Sequence, residues 1–520
     1  MRQYYRRHWQ RLIPIALILL LVTSCYRDCH ALASSPRGVV SHRNGRSKSF
    51  YFDNETDNKD DDNDSNVKLL LHQVGLFRPS DVLRQIQTGI ISTFLPSIPS
   101  SSSSSNILSS SGYLRYILLD NIQDLCTSLR SVLATQRILE GVGVGRADAT
   151  ALSATLNFLI RDGCGMMASL LFTSYAASSF RRNVKRWKFF ADVMVDIGIT
   201  LEIIAPSVLS SRSLKGWFLP LICLANVCKA LCGVAAGACG GAFQLYWSMT
   251  LMGSQDGISE VSAKSGAQRT VMGGAGLVLA GLLAKSLGSG HVSMVVWFGF
   301  YSSLTSIHLV SNWMSLKLVA LDWLNSWRLH FVVDQFLNSV DGAKNEINKA
   351  HVLSTPLELS KIEPLLFLAR FKRKNSCPIE MGVSFNQFAR MSHHTAMSLQ
   401  SLLSQQQKQN NNYIVTVGHT DRRRLKQKRR ILIALSSNYT KKDMVRAYLH
   451  ACLVARELSS TSMKCHNDVE EIEMVKEAEI RAENKLGQLC LLFESSALKA
   501  GWNLDRTEVS TKGYEITCYE

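Results

Sequence analysis

The stretch LANVCKALCGVAAGACGGAF, Leu224–Phe243, combines four glycines and three cysteines with a single charge, Lys229. It overlaps a run from Ala230 to Gln255 that contains no Asp, Glu, Lys or Arg, and a second such run extends from Ser286 to Leu316. Each run exceeds the roughly 20 residues that a helix needs to cross the hydrocarbon core of a bilayer. Runs of this length favour membrane helices over the core of a soluble all-α protein.

Six apolar stretches occur between Tyr113 and Val340, and more polar segments flank them. The stretches cover residues 116–139, 147–178, 187–207, 216–246, 270–287 and 291–322. This pattern predicts an all-α polytopic membrane bundle of about six spans. Short apolar runs and a helical periodicity after residue 340 predict a small α+β domain at the C terminus. Thr440 and Asp443 have the spacing of a capping box, so we expect a helix to begin there.

Small residues recur at every fourth position in two of these stretches. One row is Gly233, Gly237 and Gly241, and another is Gly276, Ala280 and Ala284. Residues four apart share a face of a helix, and small side chains allow two backbones to approach closely. Membrane helices associate through such faces, because lipid provides no hydrophobic drive between them. We therefore predict that both rows pack against neighbouring helices.

The cysteines of the opening stretch suggest either a metal or redox site or ordinary packing. Cys228, Cys232 and Cys239 fall near one face of the predicted helix, but no His, Asp or Glu accompanies them in the segment. A tetrahedral metal site needs four converging ligands. Cysteine is also a small apolar residue that packs well inside proteins. We predict structural cysteines, with no metal site and no bound cofactor.

Charged residues within the apolar stretches are the candidates for a polar site. They are Asp120, Asp124, Arg130, Arg161, Asp162, Asp192, Asp196 and Lys229. Charges inside a membrane are costly, and they usually pair with one another or line a water-filled cavity. Two carboxylates one helical turn apart repel unless a proton or a cation lies between them. One interpretation is a set of structural ion pairs, for example Asp120 or Asp124 with Arg115, and the other is a substrate or proton site.

Residues 1–33 have the features of a targeting segment. A basic start precedes the apolar run Leu12–Val22, and Ala31–Ala33 offers a small-residue cleavage site. An uncleaved signal anchor is the alternative. Residues 34–112 are predicted to be a disordered linker, because they contain an acidic segment and a serine tract. The other predicted divisions are a membrane domain at 113–340, a linker at 341–430 and the α+β domain at 431–520.

The net charge of +17 includes the basic run RRRLKQKRR at 422–430. In a membrane protein such a run favours solvent or anionic lipid over nucleic acid, so we expect no nucleic-acid partner. The sequence contains no phosphate-binding loop, no dinucleotide fingerprint after a strand and no HExxH motif. We therefore expect no catalytic residues and no enzymatic activity.

Several motifs occur together in an order typical of one family. They include YLRYILLDNIQDLCTSLRSVLATQRILEGVGVG, RWKFFADVMVDIGITLEIIAP and EVSAKSGAQRTV. Together they resemble the root UV-B sensitive family, and the resemblance extends over much of Tyr113–Leu366. It implies a eukaryotic, membrane-associated protein whose domain is tied to vitamin B6 photoprotection and homeostasis. The resemblance supplies no catalytic residue.

These observations lead us to expect a non-enzymatic membrane factor in vitamin B6 or light-stress homeostasis. The alternative is a transporter of a small anionic metabolite that uses the intramembrane Asp, Arg and Lys residues. The expected partners are the lipid bilayer and a family paralogue or a second copy of the chain, and the transporter would add the metabolite.

The distribution of basic residues predicts the sidedness of the membrane domain. Basic residues concentrate at 181–188, at 264–269 and in the C-terminal part, which places the C-terminal domain in the cytosol or its equivalent. A secretory N terminus followed by six spans would give the opposite sidedness, and a two-step route to a plastid would resolve this conflict. We expect an endomembrane or plastid membrane protein that enters by the secretory route.

Overall fold

Most of the chain between Tyr113 and Leu318 is helical. The computed structural model describes residues 93–96, 112–142, 151–210, 215–287, 294–342, 352–366, 377–391, 412–419, 429–460, 468–509 and 511. The predicted targeting segment, nearly all of the predicted linker at 34–112 and most of the basic run 422–430 lie outside the described residues.

Each of the six apolar stretches contains a helix. These helices are α1 (Tyr113–Val142), α2 (Ala151–Phe180), α3 (Val184–Ile204), α4 (Phe218–Met252), α5 (Ile258–Leu287) and α6 (Met294–Leu318). The chain is mostly helical with a small sheet region, which confirms the coarse prediction of fold class. Among the described helices, α4 alone is long and apolar enough to cross a membrane by length and composition. The prediction of six spans stays a prediction.

The first of two units combines residues up to Ser128 with Trp247–Ser286. The Tyr113 ring packs on the Trp247 ring with a centroid distance of 5.0 Å. The Ser128 hydroxyl donates a hydrogen bond to the Gly273 carbonyl at 3.2 Å. A Cβ added to Gly276 would lie 2.4 Å from the Ser128 Cβ, so the backbones of α1 and α5 approach closely at this glycine.

In the predicted packing row on α5, Gly276 lies at this close approach and Ala280 is fully buried. The surroundings of the Ala284 side chain lie outside what the structure describes. For Gly233, Gly237 and Gly241 on α4 the described residues provide no packing partner, because these glycines are exposed and a Cβ there would meet no described atom within 4 Å; the packing of this row stays a prediction. The helix packs through another face, where Ala235 contacts the cluster that contains Ala176 and Ala191.

The two glycine rows give a matched pair of substitutions. Gly276→Leu should destabilise the protein by about 1–3 kcal/mol, because the added side chain overlaps Ser128. Gly237→Leu should leave the stability of the monomer nearly unchanged, since its face is open. Thermal melting of the detergent-solubilised variants measures both effects, and equal losses would contradict this account of the packing.

The second unit contains residues 129–246 and 287–520. Its helical part is held by small apolar clusters between α1, α3, α4 and α6. Ile138 packs with Phe218 and Ile222 at one level, and Ala134 packs with Ile199 and Tyr301 at another. These clusters bring α1 and α6 against α3, which carries most of the buried charges.

The C-terminal part of this unit is an α+β arrangement. Its elements are β1 (Trp323–Asn325), α7 (Ser326–Gly342), α8 (Pro356–Ile362), β2 (Ile379–Met381), α9 (Phe385–Met391), β3 (Tyr413–His419), β4 (Arg429–Leu435), α10 (Lys441–Ser460), α11 (Asp468–Lys499) and β5 (Asn503–Glu508). One sheet has the order β2-β4-β3, with β2 parallel and β3 antiparallel to β4, and a second sheet pairs β1 with β5 in parallel.

The start of α10 confirms the predicted capping box. The Thr440 hydroxyl accepts a hydrogen bond from the Asp443 N–H at 3.2 Å, and the Asp443 carboxylate accepts one from the Thr440 N–H at 2.8 Å. The core beneath α10 and α11 reaches back to Leu324 and includes Phe336. The predicted domain boundary at residue 340 therefore lies within the C-terminal core, because β1 and α7 pack there.

A buried carboxylate, Glu363, connects α3 and α6 to the C-terminal elements. Its oxygens accept hydrogen bonds from Arg328 Nη2 at 2.8 Å and from Asn325 Nδ2 at 3.0 Å, and Lys185 Nζ lies 3.5 Å away. Lys317 Nζ donates to its backbone carbonyl at 2.6 Å. Burial by itself would raise the pKa of Glu363, but Arg328 and Lys185 outweigh burial and lower this pKa to about 2.

This lowered pKa predicts a loss of stability in acid. The folded pKa lies below the unfolded value of 4.5, so the stabilisation is present above about pH 4.5 and is lost as the pH falls toward 2. Glu363→Gln should cost about 3 kcal/mol at neutral pH and should remove this part of the pH dependence. Melting of the solubilised protein between pH 7 and pH 3 measures it. Asp505→Asn is the control, because Asp505 is an exposed partner of Lys442 and should matter little.

Candidate polar site of the helical domain

Helix α3 carries a row of polar side chains at four-residue intervals. Lys188, Asp192, Asp196 and Thr200 follow one another along the helix, and both aspartates are buried. Four-residue steps keep these side chains on neighbouring parts of one face. The sequence of α3 therefore fixes which way its two carboxylates point.

The row on α3 faces a matching row on α6, and the pairs form an antiparallel ladder. Asp192 accepts a hydrogen bond from the Asn312 amide, and Asp196 Oδ2 lies 3.0 Å from His308 Nδ1. The third rung joins the hydroxyls of Thr200 and Tyr301 at 2.6 Å. We call these six residues the α3–α6 ladder. On α3 the three ladder residues are four residues apart, whereas on α6 the spacings are seven residues from Tyr301 to His308 and four from His308 to Asn312.

Two cations balance the two carboxylates of the ladder. Arg130 of α1 is fully buried and its Nη1 lies 2.6 Å from Asp196 Oδ1. The same nitrogen donates to the Thr305 hydroxyl at 3.1 Å. Lys188 Nζ lies 2.7 Å from Asp192 Oδ2. A buried carboxylate is tolerated only when it is paired and hydrogen-bonded, and both aspartates meet this requirement.

Three more candidates gather beside a cavity of about 210 Å³ in the same unit. Lys229 of α4 pairs with Glu202 of α3, and Arg161 and Glu202 also line the cavity. Arg161 pairs with its neighbour Asp162 at 2.8 Å and lies over the Phe158 ring. The candidate charged residues of the second unit thus form two groups, one at the ladder and one beside this cavity.

Asp120 and Asp124 belong to the first unit and take no part in the ladder. Asp124 Oδ2 lies 3.3 Å from Arg269 Nε. The predicted partner Arg115 is exposed on α1. Asp124 therefore has a partner from a helix 145 residues further along the chain, and the suggested pairing of Asp120 or Asp124 with Arg115 stays a prediction.

The cysteines of the opening stretch are free thiols. Cys228 and Cys239 are buried and Cys232 is half-buried. Cys239 is fully enclosed on the packed side of α4. Across the part of the chain that the structure describes, no three His, Cys, Asp or Glu side chains are placed to hold a metal ion.

Sequence reasoning missed His308, Asn312 and Asn226 as members of these sites. A signal for the first two was present, because His308 and Asn312 are one turn apart in a run without Asp, Glu, Lys or Arg, with the same spacing as Asp192 and Asp196. Asn226 gave no such signal. It matters because its amide donates to the Arg161 carbonyl at 3.0 Å across α2 and α4.

Comparison with known proteins decides the family. The sequence model described as "Vitamin B6 photo-protection and homoeostasis domain" matches residues 81–340, and the model described as "Root UVB sensitive protein, C-terminal" matches residues 352–513. The chain belongs to the root UVB sensitive family. The first match contains the ladder and the cavity, and the second contains Glu363. No solved structure matches the chain.

Curated members of the family are similar over half to three quarters of this chain. RUS family member 1 of Dictyostelium discoideum is 32% identical over 52% of this chain, which spans 47% of that protein. Protein root UVB sensitive 3 of Arabidopsis thaliana is 28% identical over 67% of this chain and 72% of its own length. Protein root UVB sensitive 2, chloroplastic, of the same plant is 25% identical over 76% of this chain and 78% of its own length.

The ladder predicts strong coupling between Arg130 and Asp196. Arg130→Met should destabilise the protein by about 3–5 kcal/mol, because it leaves a buried carboxylate without its cation. The double variant Arg130→Met/Asp196→Leu should recover much of this loss, since neither charge remains. Melting of the four proteins in detergent gives the coupling free energy.

Arg137→Met is the matched control for this cycle. Arg137 is also on α1, but it pairs with Glu140 at the surface and should cost less than about 1 kcal/mol. Strictly additive losses for Arg130→Met and Asp196→Leu would show that the buried pair does not act as a unit.

Proposed function

We propose that this chain is an integral membrane protein that acts without catalysis in vitamin B6 homeostasis. The observation that carries the proposal is the α3–α6 ladder, in which charges are buried and neutralised inside a domain whose helices expose large apolar side chains. Membrane proteins place ionisable groups in this way, paired and turned away from lipid. The match to the vitamin B6 domain supplies the physiological context.

Exposed apolar residues on α2 support insertion into a membrane. They occur along the whole helix at Leu152, Leu156, Leu159, Ile160, Met166, Met167, Leu170, Leu171 and Tyr175. Leu170 is 67% exposed and Tyr175 is 85% exposed. A surface helix of a soluble domain carries polar residues on its outer face, and an extended apolar surface needs a cover. Lipid provides such a cover, and Ile307, Val310 and Trp313 of α6 are exposed in the same manner.

The engagement of the ladder side chains supports a role without catalysis. Both carboxylates are bound by a cation and by a second donor, so neither is poised as a free general base. The ladder then fixes the relative positions of α1, α3 and α6. A scaffold or a binding protein needs such a fixed arrangement of helices.

We further propose an endomembrane or plastid location. One relative carries the word chloroplastic in its name, and a route through the secretory pathway would account for the N-terminal sequence. The lipid bilayer is the main partner in this proposal. A second copy or a family paralogue is a further partner, because the open glycine row of α4 offers close approach to another helix.

Transport of a small anionic metabolite is a second candidate function. The cavity beside Lys229 and Arg161 favours it, since polar cavities inside helical membrane domains are where transported ligands bind. Under this candidate, the same cavity would open in turn to each side of the membrane.

Extraction of membranes with alkaline carbonate tests the first proposal. The protein should remain in the membrane pellet, because its apolar helices are held by the bilayer rather than by charge. A peripheral protein would be released, and release into the supernatant would overturn membrane integration. Uptake of pyridoxine 5′-phosphate by proteoliposomes then separates the two functions. Uptake of the probe supports transport. Absence of uptake, with the probe chemically unchanged, supports a non-enzymatic factor.

A further inference from the structure

The cavity of the second unit is bounded by charges of both signs. Lys229 and Arg161 contribute two cations and Glu202 contributes one anion, and Ile138 and Phe158 provide apolar walls. Glu202 is almost completely buried, whereas Lys229 is 30% exposed and Arg161 is 21% exposed. The carboxylate therefore lies at the inner end of the site, and the cations retain access to a ligand.

The existing bonds leave donors and acceptors available at this cavity. The Lys229 ammonium has three N–H donors and the Arg161 guanidinium has five. Their ion pairs with Glu202 and Asp162 use only some of these donors. Glu202 accepts from Lys229 through Oε2. A carboxylate has acceptor capacity for several donors, so a second donor can be received without breaking this ion pair.

The backbone around the cavity is shaped for Lys229. A Cβ on Gly198 would lie 2.9 Å from Lys229 Cγ and 2.8 Å from the Ala225 carbonyl oxygen. Any larger residue on α3 would obstruct the lysine stem, which passes this point to reach Glu202 one turn further along the helix. Gly165 plays the same part on α2, because a Cβ there would lie 2.5 Å from Asn226 Nδ2. Two glycines thus permit the close contacts that build the polar wall.

We propose that this cavity binds a small ampholyte, whose anionic group is held by Lys229 and Arg161 and whose protonated nitrogen or hydroxyl donates to Glu202. The cavity has a volume of about 210 Å³, which suits a small metabolite. Phosphorylated pyridines of the vitamin B6 class and free amino acids share this chemistry.

The inference rests on the cavity that also favours transport, but it concerns binding alone. Binding without uptake would leave it standing and would reject transport. Extraction of membranes with carbonate tests neither ligand binding nor transport by the cavity. The inference and the proposed functions can therefore fail separately.

Isothermal titration of the full-length protein in detergent tests the ligand class. The probes are pyridoxine 5′-phosphate and glutamate, with unphosphorylated pyridoxine and inorganic phosphate for comparison. Pyridoxine 5′-phosphate has no aldehyde, so it cannot react with surface lysines. We expect one of the first two probes to bind more tightly than both comparison compounds, and the stronger of the two identifies the source of the anionic group.

Variants locate the bound probe. Lys229→Met and Glu202→Gln should each weaken binding at least roughly tenfold, and Lys229→Arg should retain part of it, because each truncation removes a charged partner of the ligand. Glu140→Gln is the control, since Glu140 belongs to an ion pair with Arg137 outside the cavity and should leave binding unchanged. Melting of each variant without ligand confirms folding.

Two results would overturn the proposal. One is the absence of binding of either ampholyte to the folded wild-type protein at millimolar concentration. The other is equal affinity of the folded Lys229→Met and Glu202→Gln variants and the wild type. In that case the Lys229–Glu202 pair serves only to hold α3 to α4.

Discussion

The burial of two carboxylates one turn apart on α3 constrains the rest of the helical domain. Asp192 and Asp196 cannot remain charged in an apolar interior unless each has a cation and a hydrogen-bond donor at hand. Arg130 must therefore come from α1, and His308 and Asn312 from α6. This requirement constrains three helices, because moving α1 would leave Asp196 without Arg130 and moving α6 would remove a hydrogen-bond partner from each carboxylate.

A second buried carboxylate applies the same constraint at the junction with the C-terminal elements. Glu363 gathers Arg328 and Lys185 and accepts from Asn325, so the first turn of α3 is tied to β1 and α7. The charges at the two ends of α3 are thus balanced by different parts of the chain. Helix α3 thus contacts both the region that matches the vitamin B6 photo-protection and homoeostasis domain and, through Glu363, the region that matches the C-terminal domain of the family.

Glycines decide where the helices of these sites can come together. Gly198 and Gly165 allow polar side chains of α4 to reach α3 and α2, and Gly276 allows α1 and α5 to touch. The glycines at 233, 237 and 241 have the more regular spacing, and yet a Cβ there would meet no described atom within 4 Å. A four-residue repeat of small residues thus identifies a face that is able to pack closely, but it does not specify the partner. Which helix packs against such a face depends on which other face of the same helix is buried in the core.

The sequence by itself determined the helical nature of the six apolar stretches, the capped start of α10, the family and the placement of Asp192 and Asp196 one turn apart on one helix face. These features are local, because hydrophobic runs, capping residues and four-residue spacings act within one helix. Only the tertiary structure decided that Asp192 and Asp196 face His308 and Asn312, that Asp124 pairs with Arg269, and that Lys229 and Arg161 line one cavity. It also decided that Leu324 begins the C-terminal core. Such pairings join residues that are far apart in the chain, and they depend on how helices turn to bury all of their charges at once.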